Sequence, residues 1–411
     1  MLQELPPDLE SLAREFRAFT RARVIKSPTQ LLRLVFLYCG LDESLRTVSA
    51  NYAQLGQVLT DQAVRDRLIA CGPWLTALLR QMLPAPPETN QVGKRLILID
   101  GSVVQAPGAK TSDYRVHLGW EWFSHQIVFL EVTTTKTGEG LARFDWQPGD
   151  IALADRGFAS ACGIAATKER GAEVIVRLKP SGMRLQTTDG KALDLQQAIG
   201  HSSEQVVTIP AQFEHQGKTI AVWAHAYRLT EEEANRARQR CRRKANKNSR
   251  PTPKQATLFF CGWVIVLTTI SPQEVSAAVI GKLYRLRWQI EIVIKRFKSL
   301  LRLDCLRAKK DGLLAMVYLK GKLLYACLIE RRAATICPDR TVTWRSWRLA
   351  EEQIRPLITG VQHWARCLTR RAIVVLTERP RKRKRQSISL RGTHFFKERP
   401  DQVNEFNALP A

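Results

Sequence analysis

RLILIDGS, residues 95–102, holds a short apolar run from Leu96 to Ile99 that ends on Asp100 and Ser102. Four apolar residues closed by a turn signal read as a buried strand. A second stretch of the same build, DIALADRGF at 150–158, carries Ile151 to Ala154 and ends on Asp155, Arg156 and Gly157. Open α/β sheets hold ligand-bearing carboxylates at such strand ends, where a rigid core fixes the loops. Outward from these two, strands are expected at Tyr114 to Trp120, Ile127 to Thr134 and Val174 to Leu178, with a helix near Ser160 to Glu169. Three strands followed by alternating strand and helix make a mixed sheet with helices on its faces, an α/β fold.

Further along, residues 284–298 read YRLRWQIEIVIKRFK. On a continuous helix Tyr284, Arg287, Glu291, Lys295 and Lys298 fall within an arc of roughly 80°, in a polar stripe roughly 21 Å long. Leu283, Leu286, Ile290, Ile294, Phe297 and Leu301 form the adjoining apolar stripe. Taken alone, Arg287 with Glu291 and Glu291 with Lys295 are i,i+4 pairs of the ordinary solvated kind. A lone carboxylate among phosphate-binding groups would repel phosphate unless a divalent metal neutralised it, which makes Glu291 a candidate ligand. Asp100 or Asp155 alone reads equally as a turn or cap residue. Together, two Asp and one Glu suffice to hold a pair of Mg²⁺ ions with open positions for water and phosphate oxygens.

These residues resemble the DDE transposases of bacterial insertion sequences, in particular the insertion sequence four family with its Tyr-x2-Arg-x3-Glu-x6-Lys signature. Tyr284, Arg287, Glu291 and Lys298 match it at every position, Asp100 in DGS resembles the family's first catalytic Asp, and Asp155 in DRGF its second. The resemblance runs from about Leu96 to Lys298. It implies an RNase H-like catalytic core, Asp100, Asp155 and Glu291 as catalytic metal ligands, Mg²⁺ as cofactor with Mn²⁺ as a substitute, and cut-and-paste transposition, with hairpin ends as one route. It implies DNA contacts from Tyr284, Arg287 and Lys298, with Arg156 and, outside the signature, Lys295 as further candidates. The implied partners are transposon terminal inverted repeats and target DNA, with a homodimer in the DNA-bound synaptic complex.

The family also implies a Trp that stacks on a flipped base, and Trp263 in FFCGWVIVLTT resembles it. A Trp in so apolar a stretch reads equally as core. The uncharged run Ala256 to Pro272 is short for a membrane span and reads as a buried strand. Ser271, Pro272 and Glu274 look like a capping box opening the helical region of Glu291. Before that run, 181–262 resembles the family's β-rich insertion, with strand-like QVVTIPAQF and KTIAVWAHAYRL. A second capping box at Thr230 and Glu233 then begins a basic run through Arg236, Arg240, Arg242, Arg243, Lys244 and Lys247, read as a clamp on DNA or a mobile solvated loop.

The expected organisation is a helical DNA-end-binding region at 1–88, the first part of the core at 89–180, the insertion at 181–262, the second part of the core with the Glu helix at 263–304, and a C-terminal helical region with a basic tail at 305–411. In the first region Thr60 caps a helix at DQAVRDRL. Arg65 and Arg67, with Arg14, Arg17, Arg21, Arg23 and Lys26, are consistent with DNA contact or a solvated face. In the last, Leu313 to Leu328 reads as helix. Trp344, Trp347, Ile354, Leu357, Val361 and Trp364 recur at near-helical spacing, and RPRKRKRQ is a basic cluster.

Composition agrees: 64 Lys and Arg against 38 Asp and Glu give a formal charge of +26. Such an excess attracts polyanions without selecting a sequence. The hydrophobic fraction of 45% permits large cores and argues against a basic disordered tail. Nine Cys stand singly, with no zinc spacing, and MLQELPPDLESLAREF lacks the build of a signal peptide. A bacterial cytoplasm, at the nucleoid, is the expected location, with no membrane partner. Two other classes share these features: a non-catalytic, transposase-derived DNA-binding regulator, and an RNase H-like nuclease that cuts without strand transfer.

Overall fold

The computed structural model describes residues 4–53, 58–84, 95–200, 202–310, 312–336 and 342–360. Five helices come first: α1 (Leu9–Glu15), α2 (Pro28–Val35, running on as a π-helical turn over Phe36–Gly40), α3 (Leu45–Ala53), α4 (Asp61–Ala70) and α5 (Gly72–Met82). The Thr60 side chain accepts from the Ala63 N–H, as the sequence reading expects, and Ser27, not expected there, accepts from Gln30 ahead of Pro28.

The sheet strands and their helices follow as β1 (Leu96–Val104), β2 (Tyr114–Glu121), β3 (Ile127–Thr134), β4 (Ile151–Ala154), α6 (Ala161–Glu169) and β5 (Glu173–Arg177). The insertion contributes α7 (Leu195–Gly200), β6 (Val206–His215), β7 (Lys218–Arg228), α8 (Glu231–Lys247) and α9 (Gln255–Phe260), before β8 (Trp263–Thr268). All eight strands form one sheet in the order β3-β2-β1-β4-β5-β8-β7-β6. β4 pairs parallel with β1 and β5, and all four of its residues are buried, as expected of a strand covered on both faces. The other ladders are antiparallel. This mixed sheet flanked by helices is the arrangement of an RNase H-like core.

The insertion strands extend that sheet. Ile209, Phe213, Val222 and Ile265 lie in the same buried cluster as Ile97, Phe144, Val174 and Val176. Gln216 and Gly217, both at positive φ (49° and 74°), turn β6 into β7, the conformation of a type I′ hairpin. Pro210 is tolerated because β6 is an edge strand. The basic run is a 17-residue helix, α8, begun by the reciprocal capping box of Thr230 and Glu233.

Three expectations are corrected. The run from Ala256 is helical to Phe260 before it becomes β8. Ser271 opens only a turn: its hydroxyl accepts from Gln273 and its carbonyl from Glu274 and Val275, and the next helix, α10 (Ala277–Leu286), starts after Ser276. The helix expected across 284–298 is broken at Arg287, with α11 spanning Trp288–Leu301. There the Arg287 N–H bonds back to Tyr284 and the Ile290 N–H to Arg287, both three residues back, so the turn tightens while Arg287 keeps helical dihedrals.

After α11, the Gln105 N–H donates to the Asp304 carbonyl and the Leu306 N–H to the Gln105 carbonyl, which joins the helix end to the end of β1. α12 (Leu313–Ile336) then packs against α5, α4 and the 36–40 turn. The buried Lys322 ammonium bonds to Asp42 and to the Leu301 carbonyl, each at 2.6 Å. Arg296 of α11 meets Glu330 of α12 at 2.7 Å, with both side chains more than nine-tenths buried. α13 (Trp344–Thr359) begins in this unit, which runs to Ala350, and there Trp347 lies beside Phe297. A second unit starts at Glu351, where Arg355 pairs with Glu351. Val361, Trp364 and the basic cluster near 379–386 lie outside the described residues. Among the described residues no helix is long and apolar enough to cross a membrane.

Glu330→Ala strands a buried guanidinium and is expected to cost about 3–5 kcal/mol, whereas the double variant Arg296→Met/Glu330→Leu is expected to be near neutral. Urea denaturation of the full chain measures both.

Candidate active site

Parallel pairing matches Ile99 with Ala154, so Asp100 and Asp155 leave adjacent strands at the same level. β4 ends there, whereas β1 continues to Val104 because β2 still pairs with it, Asp100 standing opposite Leu118. Asp100 therefore sits within its strand, not at its end as the sequence suggested, beside the crevice opened by the end of β4.

Asp100 accepts the Gly101 N–H at 2.8 Å. Burial pushes its carboxyl up to about 6, the negative charges of Glu139 and Glu291 add to that, and the Gly101 N–H and Arg287 oppose it. Asp155 precedes the 3-10 turn of Arg156 to Phe158, but its side chain makes no capping bond. It instead accepts from the Tyr284 hydroxyl at 3.3 Å. Burial, reinforced by Asp155, pushes the Tyr284 phenol up to about 12, so it remains a donor at neutral pH.

Arg287, at the break between α10 and α11, donates to Glu291 at 2.6 Å. Burial pulls its guanidinium down, but the bond to Glu291 and the charges of Tyr284 and Asp155 outweigh this and leave it raised. Tyr284, Arg287 and Glu291 are thus brought to the two Asp residues. Lys295 is exposed one turn beyond Glu291. Lys298 lines a separate cavity of about 610 Å³ with Val103, Arg302 and Arg307.

A larger cavity of about 1110 Å³ opens beside Asp155 and the exposed Arg156. Arg177 at the end of β5, Lys179 just beyond it, and Arg240 and Lys244 of α8 line it. Trp263 stands in its wall, buried, with the Arg228 guanidinium 4.7 Å from the centre of its ring. Glu139 is a group that sequence reading missed: its carboxylate reaches both Gly101 and Gly157, and its charge acts on Asp100. The signal was present only as an acid between two glycines in TGEG.

Among the described residues no three His, Cys, Asp or Glu side chains stand ready to enclose one metal ion, and Glu291 is engaged by Arg287. The donor set still suits a hard divalent cation: every candidate ligand is a carboxylate oxygen, and Asp100 ionises reluctantly without a compensating positive charge.

Residues 91–325 match the family model of the transposase DDE domain. The chain is 35% identical over 337 residues to the transposase of insertion sequence element IS421 from Escherichia coli, covering 79% of this chain and 90% of that protein. It is 34% identical over 336 residues to InsL of insertion sequence element IS186A, also from Escherichia coli, with the same coverage. At 24% over 367 residues it is similar to the transposase of IS231F from Bacillus thuringiensis, covering 78% of this chain and 76% of that one. The match reaches across both aspartate strands and the broken Glu helix, and the chain belongs to the DDE transposases of bacterial insertion sequences, enzymes that cleave DNA and transfer its strands.

Proposed function

We propose that this transposase moves its element by cut and paste, at a single site where Asp100, Asp155 and Glu291 hold Mg²⁺, which Mn²⁺ can replace. The reading is supported above all by the level pairing of the two aspartate strands, with Tyr284 donating to one Asp and Arg287 to the Glu. Divalent ions are general in the family. When bound, such an ion activates the attacking oxygen and offsets charge on the leaving one. The chain's own residues then have distinct tasks. Arg287 carries Glu291 until DNA arrives and can exchange that carboxylate for a phosphate, since its guanidinium serves either as a bidentate donor. Tyr284 fixes Asp155 through a hydroxyl that does not ionise. Water attacks the phosphodiester at the element's end and releases a 3′ hydroxyl. That hydroxyl attacks target DNA in line, so one bond forms for each broken.

The large cavity is the proposed channel for the transposon end, with Arg156, Arg177, Arg240 and Lys244 on phosphates. Trp263 becomes a stacking platform only where Arg228 yields its place over the ring. Lys298, and more weakly Lys295, serve DNA beyond the cut on the Lys298 side of α11. The 1–88 region binds the ends through exposed Arg14, Arg17, Arg21, Arg23, Lys26 and Arg65, and a homodimer holds two ends in synapsis.

Three outcomes test this. On DNA bearing the element's ends, Glu291→Gln is expected to abolish Mg²⁺-dependent cleavage and joining while leaving end binding intact. Cutting without joining by the wild type points instead to a nuclease, and binding without chemistry to a regulator; denaturing gels of the cut flanks reveal any hairpin. Arg240→Ala and Lys244→Ala are each expected to lower the salt slope of end binding by about one.

Without metal, the Asp100 carboxyl ionises near 6 in the folded chain against an ordinary 3.8, so its charge destabilises the fold above that range. Asp100→Asn is therefore expected to stabilise the metal-free protein by roughly 1–3 kcal/mol at pH 7.5, the gain fading as pH falls from 6 to 4. Denaturation across pH measures it.

A further inference from the structure

The chain between β3 and β4 includes KTGEGLARF, residues 136–144. Leu141 and Phe144 are buried in the core cluster and fix this segment from below. From it the Glu139 carboxylate reaches between β1 at Gly101 and the turn that follows Asp155. A Cβ added at Gly101 would stand 2.9 Å from one carboxylate oxygen, and a Cβ at Gly157 would stand 2.7 Å from the other. Gly101 directly follows Asp100, and Gly157 comes two residues after Asp155. One carboxylate therefore sits against both backbone segments, and a side chain at either glycine would displace its flexible end.

Arg115 of β2 holds the segment in place. Its Nη1 donates to the Thr137 carbonyl at 3.2 Å, and its Nε stands 3.6 Å from the Glu139 carboxylate. That separation exceeds a hydrogen bond, so the pairing offsets the Glu139 charge only in part. A spacer of this size needs no charge, and a glutamine would fill the same space. An anion whose charge the Asp100 carboxylate feels raises the energy of the pair unless a cation joins it. We propose that Glu139 is a positioning residue of the metal site: seated between Gly101 of β1 and Gly157 of the turn after β4, it sets how the Asp155 turn stands against Asp100 and adds the charge that strengthens their hold on a divalent cation. The inference rests on the reading of Asp100 and Asp155 as metal-holding residues. Outer groups that orient metal ligands typically contribute 10–100-fold to affinity or activity.

The test is a Mn²⁺ titration followed by electron paramagnetic resonance on the full-length protein without DNA, with circular dichroism to confirm folding. Glu139→Gln is expected to weaken Mn²⁺ binding about tenfold or more. Gly157→Ala removes no charge, but its methyl group displaces the flexible end of Glu139, and it is expected to weaken binding similarly. The double variant is then expected to be no worse than Glu139→Gln alone, because both act through one carboxylate. Mn²⁺ affinity within twofold of wild type in Glu139→Gln, or losses that simply add in the double variant, would overturn the proposal. If Glu139→Gln does not fold, Gly157→Ala decides alone, and wild-type affinity there overturns it. The underlying reading fails separately: Asp100→Asn would then bind Mn²⁺ as the wild type does, and wild-type protein would show no metal-dependent cleavage. Either result removes the Glu139 proposal with it.

Discussion

The parallel register between β1 and β4 is the constraint on which the site depends. It sets Ile99 beside Ala154 and so brings out Asp100 and Asp155 at one level. A slip of one residue would turn each side chain of the strand to the other face, sending one Asp out of the crevice and an apolar residue into it. Burial of all four β4 residues opposes such a slip, since each would give up apolar contacts inside a two-sided core. Apolar packing and active-site geometry are therefore enforced by the same few strand residues.

The third carboxylate is brought in differently. Glu291 lies on a helix, and a helix resting on a sheet by apolar contact alone can slide or rotate. Directional polar ties restrict α11: Arg296 to Glu330, the Leu301 carbonyl to Lys322, and the Asp304 and Leu306 bonds to Gln105 at the end of β1. Buried ionic groups are costly to desolvate and only particular partners satisfy them, which makes them more position-specific than a leucine face. α12, which carries Lys322 and Glu330, also packs on α4 and α5. The N-terminal helices are thus linked mechanically to the helix of Glu291.

Local pattern made much of this legible. The strands at 96–99, 114–120, 127–134 and 151–154, the Thr60 and Thr230 caps, and the company of Glu291 with Tyr284 and Arg287 all follow from periodicities and motifs only a few residues long. Features that depend on distant partners were not legible. β1 outlasts its apolar run because β2 continues to pair with it, and the insertion strands join the main sheet because β8 bonds both β5 and β7. At Ser271 the capping signature opened only a turn, its hydroxyl accepting from Gln273, and the helix began after Ser276. Glu139 was invisible because no period marks a glycine-flanked acid in a loop; its meaning lies in Gly101 and Gly157, 38 residues before it and 18 after.

The electrostatics of the chain act on two length scales. The excess of 26 positive charges gives a field that draws DNA from a distance, screened within about 10 Å at moderate salt. At the aspartates the local sign reverses, since Asp100 is buried and feels Glu139 and Glu291, opposed by the Gly101 N–H and Arg287. A phosphate delivered by the outer field therefore meets a local barrier just where reaction would occur. A dication lowers that barrier, and Arg287 can lower it further if phosphate draws it away from Glu291, because the released carboxylate is then free to meet the cation. In the proposed mechanism metal and DNA would assist one another's binding, because each would remove a charge that otherwise repels or sequesters the other's ligands. An acidic centre in a basic protein thus favours assembly of the reactive state only when both partners are present.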